Sequence, residues 1–458
     1  MDAENDLVVL GGGTGIFAAV RAAKLGLKVV LVENRRIGGV CMNWGGLATK
    51  SLTSTVEMYK NVKKSSTNGL TGSLSLDWKA MKKYKDKICS QMSKMPEFIM
   101  KKAGVKIIIG NGEILSPNEV KITSANGEEV LKTKNILVAT GSQPITIPGV
   151  ELQDPIVDSD HLLEIEAPPK SLLVIGGGVI GLEFATIFNI LDTKVTLVEM
   201  LPTLLPTEEP EVGEFLLRNL RKEGMEVFVN SKVTQVRKVN DGVEVKIQSP
   251  TEEIIMNVDK VLMAVGRKPN IDRKRLEDIG VKTTKRGIVV DDRMQTSVET
   301  VWAAGDAVDP HLLANVAIRE AKVAVTNIAG ENAKMEYNLV PRCVFTIPEA
   351  ASVGLTEKQA VDQGLKIRSV KVNFSAQNFR AIASNKPAGF VKVVVLEDGR
   401  IIGATIVGAS ASDLVSEFII AIRNRMTAEE MSDLVYVHPS FSEVLQATLE
   451  KLLGKSLI

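Results

Sequence analysis

Two glycine runs with matching flanks carry the first chemistry legible in this chain. Leu7-Val8-Val9-Leu10 has the texture of a buried strand. It is followed by Gly11-Gly12-Gly13-Thr14-Gly15, a helical pattern over 17–25, and a second strand, 28–32, that ends at Glu33. Far along the chain the design returns: a strand over 171–175, the turn Gly176-Gly177-Gly178-Val179-Ile180-Gly181, a helix over 182–191, and a strand over 194–198 that ends at Glu199. A glycine turn between strand and helix lets the backbone approach a pyrophosphate closely, at a helix N-terminus. An acidic residue closing the next strand can accept hydrogen bonds from a ribose diol. Two such βαβ units imply two dinucleotide sites in one chain.

The second turn is the more regular, since Gly176, Gly178 and Gly181 fit GxGxxG. No Arg or Lys lies in 200–207, so a 2′-phosphate would find no counter-ion beside Glu199, and NAD is expected over NADP. In the first turn Gly11 and Gly13 fit, but the sixth position is Ile16 and Gly15 falls one place early. That loop reads as one residue short.

Acid–base and thiol candidates are few. The histidines are His161, His311 and His438, and the cysteines are Cys41, Cys89 and Cys343. His161, opening a helical stretch over 162–165, reads as a surface or capping residue, and His311, in a Pro-flanked loop, as structural. Cys89 falls in a helical pattern over 85–100 and Cys343 in a strand, and both read as buried structural cysteines. Three cysteines exclude a disulfide framework and point to a reducing cytoplasm. No metal site is expected.

The segment Gly38-Gly39-Val40-Cys41-Met42-Asn43-Trp44-Gly45-Gly46-Leu47-Ala48-Thr49-Lys50 resembles the redox helix of the pyridine nucleotide–disulfide oxidoreductases, in the dihydrolipoamide dehydrogenase form. That pattern is GG-x-C-x-N-x-G-C-I-P-[ST]-K. The first cysteine, the asparagine, the glycine and the lysine are kept. The second cysteine is replaced by Gly46 and the proline by Ala48, and Trp44 is a further departure. Four more segments resemble the same family, in its order. They are Ala139-Thr140-Gly141-Ser142-Gln143-Pro144; Gly266-Arg267-Lys268-Pro269-Asn270; 296–306 ending in Ala303-Ala304-Gly305-Asp306; and Leu313-Ala314-Asn315, with Asn315 at a usual histidine.

The resemblance implies FAD at the first nucleotide site and NAD at the second. It places Gly11, Gly13, Gly15, Glu33, Gly39, Lys50, Gly112, Thr140, Gly141, Asp306, Leu313 and Ala314 around FAD, and Gly176, Gly178, Gly181, Glu199, Val233 and Gly266 around NAD. Asp306 is expected at the ribityl chain. Lys50 and Glu183 are expected as an ion pair beside the flavin, where a cation stabilises the reduced, anionic form. His438-Pro439-Ser440-Phe441-Ser442-Glu443 resembles the family's HPTxxE, in which a carboxylate orients an imidazole that serves the thiol. That histidine reaches the other subunit's redox site, which implies a homodimer. The expected catalytic set is Cys41, Lys50, Glu183, His438 and Glu443. The C-terminal stretch 450–458 carries no cysteine pair, unlike mercuric reductase and the large thioredoxin reductases.

By position Cys41 is the outer, substrate-facing thiol, and the flavin-side thiol is the missing one. The exchange with NAD(H) is expected to survive and the thiol half-reaction to be altered. The expected function is an NADH-linked flavoenzyme acting on a small thiol, a lipoyl group or another electron acceptor. The alternatives are a quinone-reducing diaphorase and a non-catalytic subunit that holds a lipoyl-bearing partner.

The elements that must position these groups fill 458 residues, enough for two to four domains. The composition is 45% apolar, which supports full cores, and the net charge of +1 gives no reason to expect nucleic acid. Apolar runs are strand-sized, so no membrane span is expected, and the first residues lack the pattern of a signal peptide. The expected fold class is α/β: two Rossmann-like dinucleotide-binding domains plus a C-terminal α+β dimerisation domain. The boundaries read as 1–149 (FAD, first part), 150–271 (NAD), 272–337 (FAD, second part) and 338–458 (dimerisation). Residues 49–102 read as mostly helical, with strands over 106–109, 135–139 and 260–265, and a short sheet starting at 288–291. The last domain reads as strands over 342–346, 367–372, 390–396 and 401–407, with helices over 410–422 and 442–453. No Gly/Ser or Pro-rich linker separates the parts, so close packing is expected.

Overall fold

The computed structural model describes residues 4–63, 69–308 and 311–455. Parts of four sequence readings lie outside them: the first three residues, 64–68 of the helical stretch, Pro310 beside His311, and the last three residues.

Alternation along the first strands builds the first core. Leu7, Val9, Leu31 and Leu137 pack on one face of a sheet, while Val8, Leu10, Val30, Val32, Ile136 and Val138 pack on the other. Burial on both faces is what makes these strands near-continuous apolar runs. Asn5–Leu10 pairs in parallel with Val29–Glu33 and with Gly127–Val138. Lys106–Ser116 and Val301–Ala303 complete the sheet at its two edges. The second unit repeats the plan. Ser171–Ile175 lies between Lys194–Val198 and Lys260–Met263, all parallel, with Glu226–Phe228 and Ile156–Val157 outside them. The third part is a five-stranded antiparallel sheet packed against helices Ala411–Arg423 and Glu443–Leu452. The α/β class with two Rossmann-like units and a C-terminal α+β part is thus observed.

Several readings need correction. The strands read at 106–109 and 135–139 are the parallel ends of longer strands. Beyond them Lys106–Ser116, Glu119–Ser124 and Gly127–Val138 form an antiparallel meander. A second meander, Lys232–Val239, Gly242–Gln248 and Glu253–Val258, sits in the second unit. Both alternate polar or charged residues with single buried apolar ones such as Val120, Ile122, Val243 and Val245, so neither shows an apolar run. The strand Glu349–Gly354 was also missed, its sequence being rich in Ala, Ser and Gly. Residues 49–102 divide into helices Gly46–Lys63 and Trp78–Lys102, the second capped by Asp77, whose side chain accepts from the Ala80 N–H at 3.1 Å. The expected sheet at 288–291 shrinks to Gly287–Ile288 paired with Thr283–Thr284. His161 lies in a helix that starts earlier, Ser159–Leu162, and is exposed; its N–H is capped by Asp158. His311 stacks on Tyr337 with ring centroids 4.8 Å apart.

The parts pack closely. One core cluster joins Leu52 and Val56 of the helix after the redox segment, Leu172 and Phe188 of the second unit, and Phe390 and Val407 of the third part. Lys392, 6% exposed, adds a polar staple across the same junction: its ammonium lies 2.7–2.9 Å from carboxylates of Glu209, Glu211 and Glu357. Burial alone would lower its pKa, but the hydrogen bonds to Glu211, Glu357 and Glu209 win and raise it. Lys392→Met leaves the buried Glu209 without its cation, and the expected loss is about 3–5 kcal/mol of stability. A fall in the urea midpoint at pH 7 checks this; an unchanged midpoint contradicts it.

Candidate active site

Glycines set the floor of the site. Gly11 and Gly176 both have positive φ, and a Cβ on either would lie 2.1 and 2.3 Å from the carbonyl oxygens of Ala139 and Ala264. Only glycine lets the strand ends come this close. The next residue in each turn finds the acidic side chain. The Gly12 N–H donates to Glu33 Oε2 at 2.6 Å, and the Gly177 N–H to Glu199 Oε2 at 2.6 Å. The other oxygens accept from the Arg35 N–H and the Leu201 N–H. Both carboxylates are therefore fixed beside their turns, where a ribose would arrive.

The short loop of the first turn is also explained. A Cβ on Gly15 would meet Val9 Cγ1 at 2.8 Å; one on Gly181 would meet the Gly176 carbonyl oxygen at 2.0 Å and Val174 Cγ1 at 3.2 Å. Gly15 thus does the work of a third glycine, one residue early, by letting helix and strand pack. Its α-carbon faces Val9 rather than the cleft.

One elongated cleft gathers Gly11, Gly13, Glu33, Gly39, Cys41, Lys50, Gly112, Thr140, Gly141, Glu183, Asp306, Leu313 and Ala314. Gly13 and Gly39 meet across it: a Cβ on Gly39 would come 2.7 Å from Gly13 Cα. Asn43 pins the short helix Gly39–Asn43, donating to the carbonyls of Ile37 and Gly39 and accepting from Ser93 Oγ at 2.9 Å. Asp306 accepts from Ser142 Oγ at 2.6 Å, and Arg267 holds Ser142 through two hydrogen bonds of 2.8 Å.

At the far end Lys50 Nζ lies 2.6 Å from Glu183 Oε2. Glu183 Oε1 accepts from the Phe345 N–H at 3.0 Å, and Lys50 Nζ lies 4.2 Å from the Phe345 ring centroid. Gly46 stands one helical turn before Lys50, on the same face. A Cβ placed on Gly46 would lie 3.7 Å from Cys41 Sγ, in ordinary contact. Cys41 opens to the cleft, yet dense packing round its thiol raises its pKa; Lys50 and the Gly46 N–H pull it down, and Asp306 pushes it up.

Cys343 contradicts its reading as a buried structural cysteine. It is half-buried, it lines the cleft, and burial with Glu349 and Glu183 nearby pushes its thiol up to about 12. Cys89 is buried, as read. Phe345, Arg35, Asn34, Trp44 and Cys343 line the cleft unforeseen. Phe345 acts through its main-chain N–H, which no motif can show.

Other residues sit apart from the cleft. Gly176, Gly178, Gly181 and Glu199 form the second turn, and Gly266 takes φ +121° at a strand crossing. Val233 is 7% exposed in the core of the second unit, so its side chain is not available to a nucleotide. His438 Nδ1 and Glu443 Oε1 are 2.6 Å apart; the Ser440 N–H fixes the second carboxylate oxygen. The imidazole is exposed and does not reach the cleft of its own chain.

The fit to a flavin nucleotide rests on the cleft itself. Its glycine floor admits a ligand against main chain, and Thr140 Oγ1, at its wall, is buried with no hydrogen-bond partner. Comparison with known proteins now decides the family. Residues 5–327 match the family described as pyridine nucleotide-disulphide oxidoreductase, and residues 340–449 match its dimerisation domain. The chain belongs to the pyridine nucleotide–disulphide oxidoreductase family. It is 38% identical to a dihydrolipoyl dehydrogenase of Geobacillus stearothermophilus over 98% of this chain and 97% of that one. It is 36% identical to one from Bacillus subtilis, covering 99% and 97%. Among solved structures, LpdA from Mycobacterium tuberculosis superposes with a TM-score of 0.89 at 25% identity, over 98% and 99% of the two chains. The HOCl-induced flavoprotein disulfide reductase RclA of Escherichia coli, at 24% identity, shares the fold with a TM-score of 0.88, over 98% and 100%. As a member of this pyridine nucleotide–disulphide oxidoreductase family the chain is a FAD-dependent pyridine nucleotide oxidoreductase of dihydrolipoamide dehydrogenase type. FAD and NAD are its cofactors, and its dimerisation domain supports a homodimer. No described helix is long and apolar enough to cross a membrane.

The electrostatics of Cys41 give a direct test. Lys50→Met removes the cation that opposes burial, so the thiol pKa climbs further. Alkylation of Cys41 by iodoacetamide at pH 8 should slow roughly two- to fivefold, with the rate–pH curve moved to higher pH. A superimposable curve contradicts the assignment.

Proposed function

We propose that this chain is a single-thiol member of its family. It exchanges hydride with NAD(H) at one end of the site and works at the other through Cys41 alone. The observation that carries the reading is Gly46 itself, set where a side chain would point at Cys41: a Cβ there would lie 3.7 Å from Sγ, and glycine offers no second thiol. When bound, FAD supplies the two-electron exchange with the nicotinamide. Glu33, Asp306, Thr140 and the glycines of the cleft would hold it, and Lys50, fixed by Glu183, would place a cation at its flavin end. Glu199 would hold the ribose of NAD.

Cys41 needs an external base, since its own chain leaves the thiol protonated near neutral pH. The His438–Glu443 pair is built for that task, with the carboxylate orienting the imidazole. We infer that the pair serves Cys41 of the partner subunit, so the site is complete only in the dimer. Cys41 as thiolate would attack an external disulfide or persulfide. A bond forms between its Sγ and one substrate sulfur, the substrate S–S bond breaks, and the departing thiolate takes the proton held by His438. The retained His438–Glu443 pair favours this over direct reduction of a quinone and over a purely lipoyl-binding subunit. The unpaired cysteines support the cytoplasm as compartment. The strand pair Ser142–Pro144 with Arg267–Pro269, joining the two crossings, supports the boundaries at 149/150 and 271/272.

Anaerobic titration with NADH tests the reading. Uptake should stop at two electrons per FAD, without the long-wavelength absorbance of a thiolate lying against the flavin. Uptake of four electrons would show a second redox pair and defeat the proposal.

Gly46→Cys should supply the missing thiol. The 3.7 Å from its Cβ site to Cys41 Sγ leaves a short approach to the geometry of a disulfide. Dihydrolipoamide oxidation by NAD should rise at least tenfold, and the thiol count should drop by two in the oxidised protein. A disulfide that forms without added activity would exclude lipoamide as the substrate.

A further inference from the structure

Trp44 departs from the redox pattern, and the chemistry above gives it no task. It closes the short helix Gly39–Asn43 as its C-cap and lines the same cleft as Glu33, Asn34 and Arg35. The Arg35 guanidinium carbon lies 3.9 Å from the centre of its ring. Arg35 Nη1 also donates to Asp160 Oδ2 at 3.2 Å. Asp160 is 8% exposed, and its Oδ1 is buried with no hydrogen-bond partner. The Arg35 main-chain N–H donates to Glu33 Oε1, on the carboxylate expected to hold a ribose. One chain of contacts therefore runs from the ribose acceptor through Arg35 to the redox segment, and on to the segment holding Asp160.

A guanidinium carries five N–H donors in a fixed plane, and an indole face is the best aromatic partner for it. Here one face of the guanidinium rests on Trp44 and one nitrogen is spent on Asp160. The arrangement fixes the plane of Arg35 while its side chain keeps 53% of its surface open. What remains is a pre-oriented set of donors and a free cationic face on the stretch between Glu33 and Cys41. A nucleotide in the cleft offers the matching groups: a diphosphate to accept hydrogen bonds and an adenine ring to stack. Asp160, nearly buried and only half satisfied, has reason to hold its partner in place.

We propose that Trp44, Arg35 and Asp160 form a latch that retains the ADP half of the FAD, with Arg35 as the contacting residue and the other two as positioning residues. The latch rests on FAD occupying this cleft. It is a second hold on the cofactor, made by side chains other than those of the glycine turn and Asp306, and joined to the turn through Glu33.

The test is FAD release from the holoprotein, followed after dilution by the rise of free-flavin fluorescence. Trp44→Val, Arg35→Gln and Asp160→Asn should each release FAD about three- to tenfold faster, the scale of one half-exposed cation–π contact. The double variant Trp44→Val/Arg35→Gln should be no faster than the faster single one, because both remove the same contact. Trp44→Phe, which keeps a ring under the guanidinium, should stay within about twofold of the wild type. Unchanged release in both Trp44→Val and Arg35→Gln overturns the latch. So do effects that multiply in the double variant, which would mean separate structural roles. If Trp44→Val does not fold, Arg35→Gln against Arg35→Lys decides: Lys, which keeps a cation over the ring, should release FAD more slowly than Gln, and equal or faster release by Lys overturns the latch. Wild-type protein that takes up no FAD would instead overturn the assignment of the cleft itself.

Discussion

The ion pair between Lys50 and Glu183 is the contact on which the site depends, because each partner belongs to a different part of the fold. Lys50 comes from the helix that continues the redox segment. Glu183 comes from the helix that follows the second glycine turn, and it is 5% exposed. A carboxylate this buried is tolerable only if both oxygens are engaged. One accepts from Lys50 and the other from the main-chain N–H of Phe345, in the third part. The ring of Phe345 then covers Lys50. Three segments far apart in sequence are fixed by the hydrogen-bonding needs of one side chain. The placement of Lys50 relative to Cys41 follows, since only one turn of helix separates it from Gly46.

Much of this was legible beforehand, and the reason is periodicity. Strands buried on both faces, such as 171–175 and 390–396, announce themselves as apolar runs. Where a strand leaves the parallel sheet and becomes half solvated, as Lys106–Ser116 does beyond Ile109, the run dissolves into Lys, Glu, Asn and Gly and the signal is lost. Glu349–Gly354 has too little side chain to look like a strand at all. The glycine turns were readable as chemistry but not in detail. Whether Gly15 touches a ligand or a valine depends on a packing contact with Val9 that motif spacing does not specify.

The site divides in the same way. Residues whose type is dictated by what they must do, such as Glu33, Glu199, Lys50, Glu183 and Asp306, stood out. Residues that act through main chain or by position did not. Phe345 contributes an N–H that any residue but proline could supply, and Cys343 looked like a core residue because it falls in a strand. Arg35 and Trp44 are nine residues apart and meet only because two glycines, Gly38 and Gly39, turn the chain back between them.

The core shared by the helix Gly46–Lys63, the second unit and the third part has a bearing on how the chain folds. Leu52, Phe188 and Phe390 exclude water together, so no one of the three segments completes its interior before the others arrive. The partition into nucleotide-binding and dimerisation parts is then a partition of chain paths and ligands, not of cooperative units. Partly built states expose the apolar wall that the missing segment would cover, and the chain must be nearly whole before that wall is safe from association with other copies. The same packing that holds Cys41 and Lys50 in register thus ties their alignment to the interior shared by all three segments.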